Sequence, residues 1–301
     1  MSAVELQQTS LFLSAERSRE ELDRDYSPSR FIGSLAPVLE DWRNRTAEQK
    51  RRHGDRFRAA LPYGSHPRAV VDLYRTEASG APLLVFIHGG FWQAVSKDES
   101  GFMADAWTAA GINLAVLDYP LTPEVSLSEI VRQVRRGLFW LQEQAGALGV
   151  DASRMVIAGH SAGAHLAAMS QIGAGGTAVV RAGGLALLSG VFELEPIRHS
   201  YVNEAVCMTP AEATALSPVR SRPERSLPLV VAVGENEPTA FHEQSRHLAW
   251  QWREAGCPTA NLLLSRRDHF SLLDELADLG TPLGRAVAGL LPEALSTPAS
   301  P

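Results

Sequence analysis

Cysteine is scarce in this chain of 301 residues. It has two, Cys207 and Cys257, set far apart. Two isolated thiols make no disulfide framework and point to a reducing compartment. Long apolar runs are missing too. No stretch approaches the ~18 residues of a membrane span. The cluster Leu11-Phe12-Leu13, preceded by Glu5, is too short for the apolar region of a signal peptide. A cytoplasmic location is therefore expected. Positive charge is not in excess. The net charge is −6, which removes the electrostatic reason to expect nucleic acid or an anionic membrane as partner. The basic run from Asp41 to Arg58 is broken by Glu48 and Asp55 and reads as one solvated helix face.

Hydrophobic residues at 45% and charged residues at 21% are ordinary for a globular protein, and the length suits one large α/β domain spanning 1–301. Residues 1–60 are polar and read as helix and loop, an N-terminal extension that, like residues 191–225, is a candidate cap over the site. From residue 69 short apolar strands alternate with helices. Strands are expected at 70–74, 83–87, 112–117, 155–158, 185–188, 229–233 and 262–264. Helices are expected at 98–110, 127–144, 162–169 and 241–254, with more to about 292. Residues 191–225 show little regular pattern, and 293–301 read as a flexible tail. This alternation predicts a mainly parallel sheet with helices on both faces. On such sheets ligands bind beyond the carboxyl ends of the strands.

Gly159-His160-Ser161-Ala162-Gly163 fits G-x-S-x-G, the turn that lifts a serine nucleophile between a strand and a helix. Met155–Ala158 supplies the strand and Ala162–Met169 the helix. A serine hydroxyl needs a base, and the base needs an orienting carboxylate. In hydrolases with this turn the chain order is serine, acid, histidine. His269, in the loop after the last strand, is the expected base. Glu235 and Glu237 both lie in the turn after strand 229–233, and either one, or more weakly Asp268, could serve as the acid. His160 is read as leaving from the far side of the turn, and His165 as a core residue or a partner of a backbone group. His242 and His247 are five apart, where a helical zinc pair needs four, so no metal site is expected there. His88-Gly89-Gly90-Phe91-Trp92 follows a strand and is similar to the HGGG-type loop of lipases and esterases. Its N–H groups at Gly89, Gly90 and Phe91, with that of Ala162, are the expected oxyanion donors. Phe91 and Trp92 are candidates to stack on an aromatic substrate, and core packing is the competing reading for Trp92.

These residues, with Tyr26-Ser27-Pro28-Ser29-Arg30, Gln93, Ser96-Lys97-Asp98, Leu194-Glu195-Pro196, Phe241-His242 and Asp268-His269-Phe270, resemble the arylformamidases, or kynurenine formamidases. The resemblance runs over residues ~24–277. It implies an α/β-hydrolase fold and hydrolysis of N-formyl-L-kynurenine to L-kynurenine and formate, without cofactor or metal. It also implies a triad of Ser161, His269 and Glu237, the last standing where the family usually has aspartate. The expected partner is a small aryl amide or ester, and a homodimer is left open. A carboxylesterase for short-chain or aryl esters is the alternative, and a non-catalytic binding protein of the same fold a distant one.

Overall fold

The computed structural model describes residues 17–173 and 179–291. The tail at 293–301 and the Leu11–Leu13 cluster lie outside the described residues.

Eight strands form one sheet in the order β1-β2-β4-β3-β5-β6-β7-β8. They are β1 Phe57–Pro62, β2 Val70–Tyr74, β3 Ala81–Ile87, β4 Asn113–Leu117, β5 Val150–His160, β6 Gly184–Leu188, β7 Leu229–Gly234 and β8 Thr259–Leu264. From β4 to β8 the pairing is parallel, while β2 runs antiparallel to β4 and to β1. β3, β4, β6 and β7 are buried along their whole length, which is why they read as unbroken apolar runs.

Alternate residues feed opposite layers. Leu83, Val85, Ile87 and Ile157 pack with Leu127–Glu143, Ala162–Met169 and Thr239–Glu254. Leu84, Phe86, Val156 and Ala158 pack on the other face with Trp42, Trp107 and Leu283, which come from helices Ala36–His53, Ala104–Ala109 and Pro282–Ala288.

Three expectations need correction. Phe57–Pro62 is an edge strand rather than helix or loop. It is only half-buried, is interrupted by a bulge between Arg58 and Leu61, and is held by the Ala60 N–H to Asp72 Oδ1 at 2.8 Å. An edge strand of this kind carries no alternating signature. The span 98–110 is a 3-10 turn, Lys97–Glu99, followed by the short helix Ala104–Ala109. The basic run is not simply a solvated face. Helix Ala36–His53 buries Trp42, Thr46, Gln49 and His53, and its cations clamp it to the body. Arg43 pairs with Glu99 at 2.7 Å, Arg45 with Asp274 at 2.7 Å and Lys50 with the fully buried Asp72 at 2.9 Å.

Candidate active site

β5 ends at His160, and the chain turns so sharply that Ser161 adopts φ 55°, ψ −118° before helix Ala162–Met169 begins. That strained conformation is tolerated because the surroundings fix it. The Ser161 N–H is tied to Leu188 O at 2.8 Å. The flanking glycines are required sterically. A Cβ on Gly163 would lie 2.0 Å from Ile87 O, and one on Gly159 would lie 2.2 Å from Gly163 O.

The loop after β8 brings His269 to the same end of the sheet. Its Nδ1–H donates to Glu237 Oε2 at 2.7 Å, with both side chains almost wholly buried. Glu237 Oε1 accepts from Gly234 N–H at 2.7 Å and from the Ser189 hydroxyl. The carboxylate is thus fixed from the strand ends of β6 and β7. Glu235 is turned outward, accepting from Arg266 N–H at 2.7 Å and Ser265 Oγ at 3.0 Å. Asp268 caps the next turn through Phe270 and Ser271 N–H. Of the three carboxylates, Glu237 is the one that meets His269. With Nδ1 donating, Nε2 is the acceptor of the neutral ring. Ser161 and His269 face one cavity of about 270 Å³ without a hydrogen bond between them, a spacing common before substrate binds.

Gly89, Gly90 and Phe91 line that cavity. Gly90 has φ +100°, and a Cβ there would lie 2.1 Å from Ala94 O. Phe91, Trp92 and Val95 also take positive φ, so the loop coils tightly. It closes through Gln93 and Ala94 N–H on Gly90 O, both at 3.0 Å. Among the described residues, no acceptor is found for the Gly90 or Phe91 N–H. The Ala162 N–H opens a helix, where no intrahelical acceptor exists.

The loop is braced from behind. Tyr119 OH donates to His88 O at 2.9 Å, and its ring stacks on His88. His88 Nε2 meets Asp118 Oδ1 at 3.1 Å, and Arg68 bonds both Asp118 Oδ1 and Val95 O. Burial opposes the charge on Asp118, but His88 and Arg68 outweigh it and hold the carboxyl below its usual range.

Two placements differ from expectation. Trp92 is fully buried and is not part of the cavity wall. Its ring meets His165 edge-on at 5.1 Å, so it is a core residue and not a substrate platform. His160 does not leave on the far side. It lines the cavity, its ring 4.7 Å from that of His269, and its Nε2–H donates to His269 O at 2.8 Å. His165 is buried and donates to Leu216 O at 2.8 Å.

Much of the remaining wall comes from residues distant in sequence from the serine turn and the glycine loop. Pro28, Ser29, Leu35, Leu39 and Trp42 bring the N-terminal segment over the cavity, while region 191–225 contributes Tyr201. Tyr26 anchors that segment. Its ring packs edge-on to Phe241, which in turn lies 4.5 Å from His269, and its hydroxyl accepts from Gln244 at 3.0 Å. Of the N-terminal wall residues, Pro28 and Ser29 lie in the Tyr26–Arg30 motif, while Leu35, Leu39 and Trp42 carry no sequence signal.

A family model described as BD-FAE matches residues 71–179. Kynurenine formamidase of Danio rerio is 32% identical over 276 residues, covering 87% of this chain and 92% of the relative. That of Drosophila melanogaster is 31% identical, covering 86% and 93%. A solved thioesterase candidate from Silicibacter sp. TM1040 superposes with a TM-score of 0.81 at 28% identity, covering 89% of this chain and 99% of its own. A strand-to-helix serine turn, a glycine loop beside it and likeness to formamidases along nearly the whole length place this hydrolase in the kynurenine formamidase family of the α/β-hydrolase superfamily.

Proposed function

We propose that the chain hydrolyses N-formyl-L-kynurenine to L-kynurenine and formate through a formyl-serine intermediate. His269 Nε2 takes the proton of Ser161 as Oγ bonds to the formyl carbon. The oxyanion so formed lies within reach of the Gly90, Phe91 and Ala162 N–H groups, with Gly89 giving the loop its close approach. Glu237 holds the His269 tautomer and stabilises the imidazolium. As the carbon–nitrogen bond breaks, His269 returns the proton to the departing arylamine. Water, deprotonated by the same ring, then attacks the formyl ester, releasing formate and restoring the serine. The observation that carries this reading is the buried Glu237–His269 pair, whose His269 lines with Ser161 a cavity walled by Trp42, Phe86, Phe91 and Phe270, a fit for an aryl group.

The same machinery acts on esters, and the likeness to a thioesterase candidate favours that as a second reading. Comparing kcat/KM for N-formyl-L-kynurenine with that for phenyl acetate decides between them. Turnover of the ester alone rejects the formamidase reading. Ser161→Ala should abolish both activities. Two free thiols support a reducing, cytoplasmic setting. Among the described residues, no helix is long and apolar enough to cross a membrane.

A further inference from the structure

Glu99 stands in the cavity wall, and acyl transfer has no use for it. Its side chain is more than nine-tenths buried, and the wall around it is largely apolar. A carboxylate placed there is costly unless its oxygens are satisfied. Oε1 accepts from Arg43 Nε at 3.1 Å and Nη2 at 2.7 Å, and Oε2 accepts from Ser96 Oγ at 2.7 Å. A carboxylate offers about four lone-pair positions. Three are taken, and the fourth belongs to Oε2. Arg43 approaches from the solvent side, with its own side chain 59% exposed, and does not line the cavity. The charge the cavity wall carries is therefore the anion, and its interactions are strengthened by the low dielectric around it. Gln93, also in the wall, has no hydrogen bond to its side-chain amide among the described residues.

We propose that Glu99 is an ammonium-binding subsite. Its free acceptor position takes an N–H of a cationic amine at the end of the substrate remote from the scissile bond, and the Gln93 amide donates to the carboxylate of the same amino-acid group. The site thereby selects aryl formamides that carry an α-amino acid over uncharged ones. The natural substrate in this inference rests on the formamidase reading. The ammonium subsite itself does not, and a pair of esters separates the two.

The probes are 4-(2-aminoethyl)phenyl acetate, which is cationic, and 4-ethylphenyl acetate, its neutral counterpart. The readout is the ratio of their kcat/KM values. The native protein favours the cation, and Glu99→Gln collapses that ratio by about 10- to 100-fold, the range of a hydrogen bond to a charged group. A general loss of structure lowers both rates and leaves the ratio in place. Arg43→Gln unmasks the carboxylate and raises the ratio, which covers the case of a Glu99 variant that fails to fold. A ratio unchanged in both variants overturns the proposal. Failure of the native protein to cleave N-formyl-L-kynurenine, with the ester ratio behaving as described, sinks the formamidase reading and leaves the subsite standing.

Discussion

His160 donates its Nε2–H to the main-chain carbonyl of His269 at 2.8 Å, so the residue before Ser161 holds the loop that carries His269. Burial, then the charge of the neighbouring His269, keeps the His160 imidazole well below its ordinary range. It is neutral, and its one N–H is committed to that carbonyl. Its Nδ1 faces Gly89, where an added Cβ would lie 3.1 Å away, so the same ring also borders the glycine loop. Small misplacements of catalytic groups cost as much as 10²-fold. His160→Phe, which keeps a ring but loses the donor, should lower kcat by about 10- to 100-fold with KM little changed. His160→Gln, with an amide N–H near the same place, should recover part of the loss. Equal kcat values in the two variants would refute the tether.

Glu237 and Glu235 give a sharper contrast, because they lie two residues apart and face opposite ways. Replacing the triad acid by its amide leaves the histidine in the wrong tautomer and costs about 10⁴-fold in kcat in the best-studied triad. Glu237→Gln should show a loss of about 10³- to 10⁴-fold by that reasoning. Glu235→Gln removes an exposed cap on the Arg266 turn and should leave steady-state kinetics near those of the native protein. Comparable losses in both variants would contradict the assignment.

Phe91 and Trp92 are adjacent in sequence and opposite in consequence. Phe91 lines the cavity, whereas Trp92 has no exposed surface. Phe91→Ala should raise KM for an aryl substrate with modest change in melting temperature. Trp92→Ala should instead cost about 3–5 kcal/mol of stability through the cavity it leaves. Urea unfolding beside steady-state kinetics separates the two effects, and a Trp92 variant of native stability with a raised KM would return it to the substrate.

The sheet was legible because β3, β4, β6 and β7 are covered on both faces, and their apolar runs are too short for helices. Ser161 was legible because the turn needs glycine on both sides for a steric reason that sequence expresses directly. β1 was not, since a half-exposed edge strand ending in Pro62 makes no demand on composition. Nor could sequence choose between Glu235 and Glu237, because the choice depends on which carboxylate the Gly234 N–H and the Ser189 hydroxyl draw inward. The place of His160 and the choice between core and cavity for Trp92 depend on contacts distant in sequence, with the His269 carbonyl and the His165 ring, that no local pattern announces.

His165 makes the stability of the fold depend on pH in a window that lies mostly above that of the carboxylates. Burial lowers its pKa to about 4, against an ordinary value of 6.5, and the Leu216 carbonyl offsets only part of that. Its Nδ1 is buried with no hydrogen-bond partner among the described residues, so an added proton there would find no acceptor. Between pH 6.5 and 4 the unfolded chain therefore binds a proton that the folded chain refuses. Stability falls as pH falls through that window, and the full contribution is present above 6.5. For this histidine the loss from pH 7.5 to 5.0 should be about 2 kcal/mol, at 1.36 kcal/mol per pH unit below the unfolded value. His160 is depressed in the same direction and adds to it. His165→Gln retains an N–H for Leu216 O but cannot titrate. Urea unfolding at the two pH values should show the variant losing about 2 kcal/mol less than the native protein on acidification. Equal losses in both proteins would mean that His165 takes up its proton in the folded state as readily as in the unfolded one.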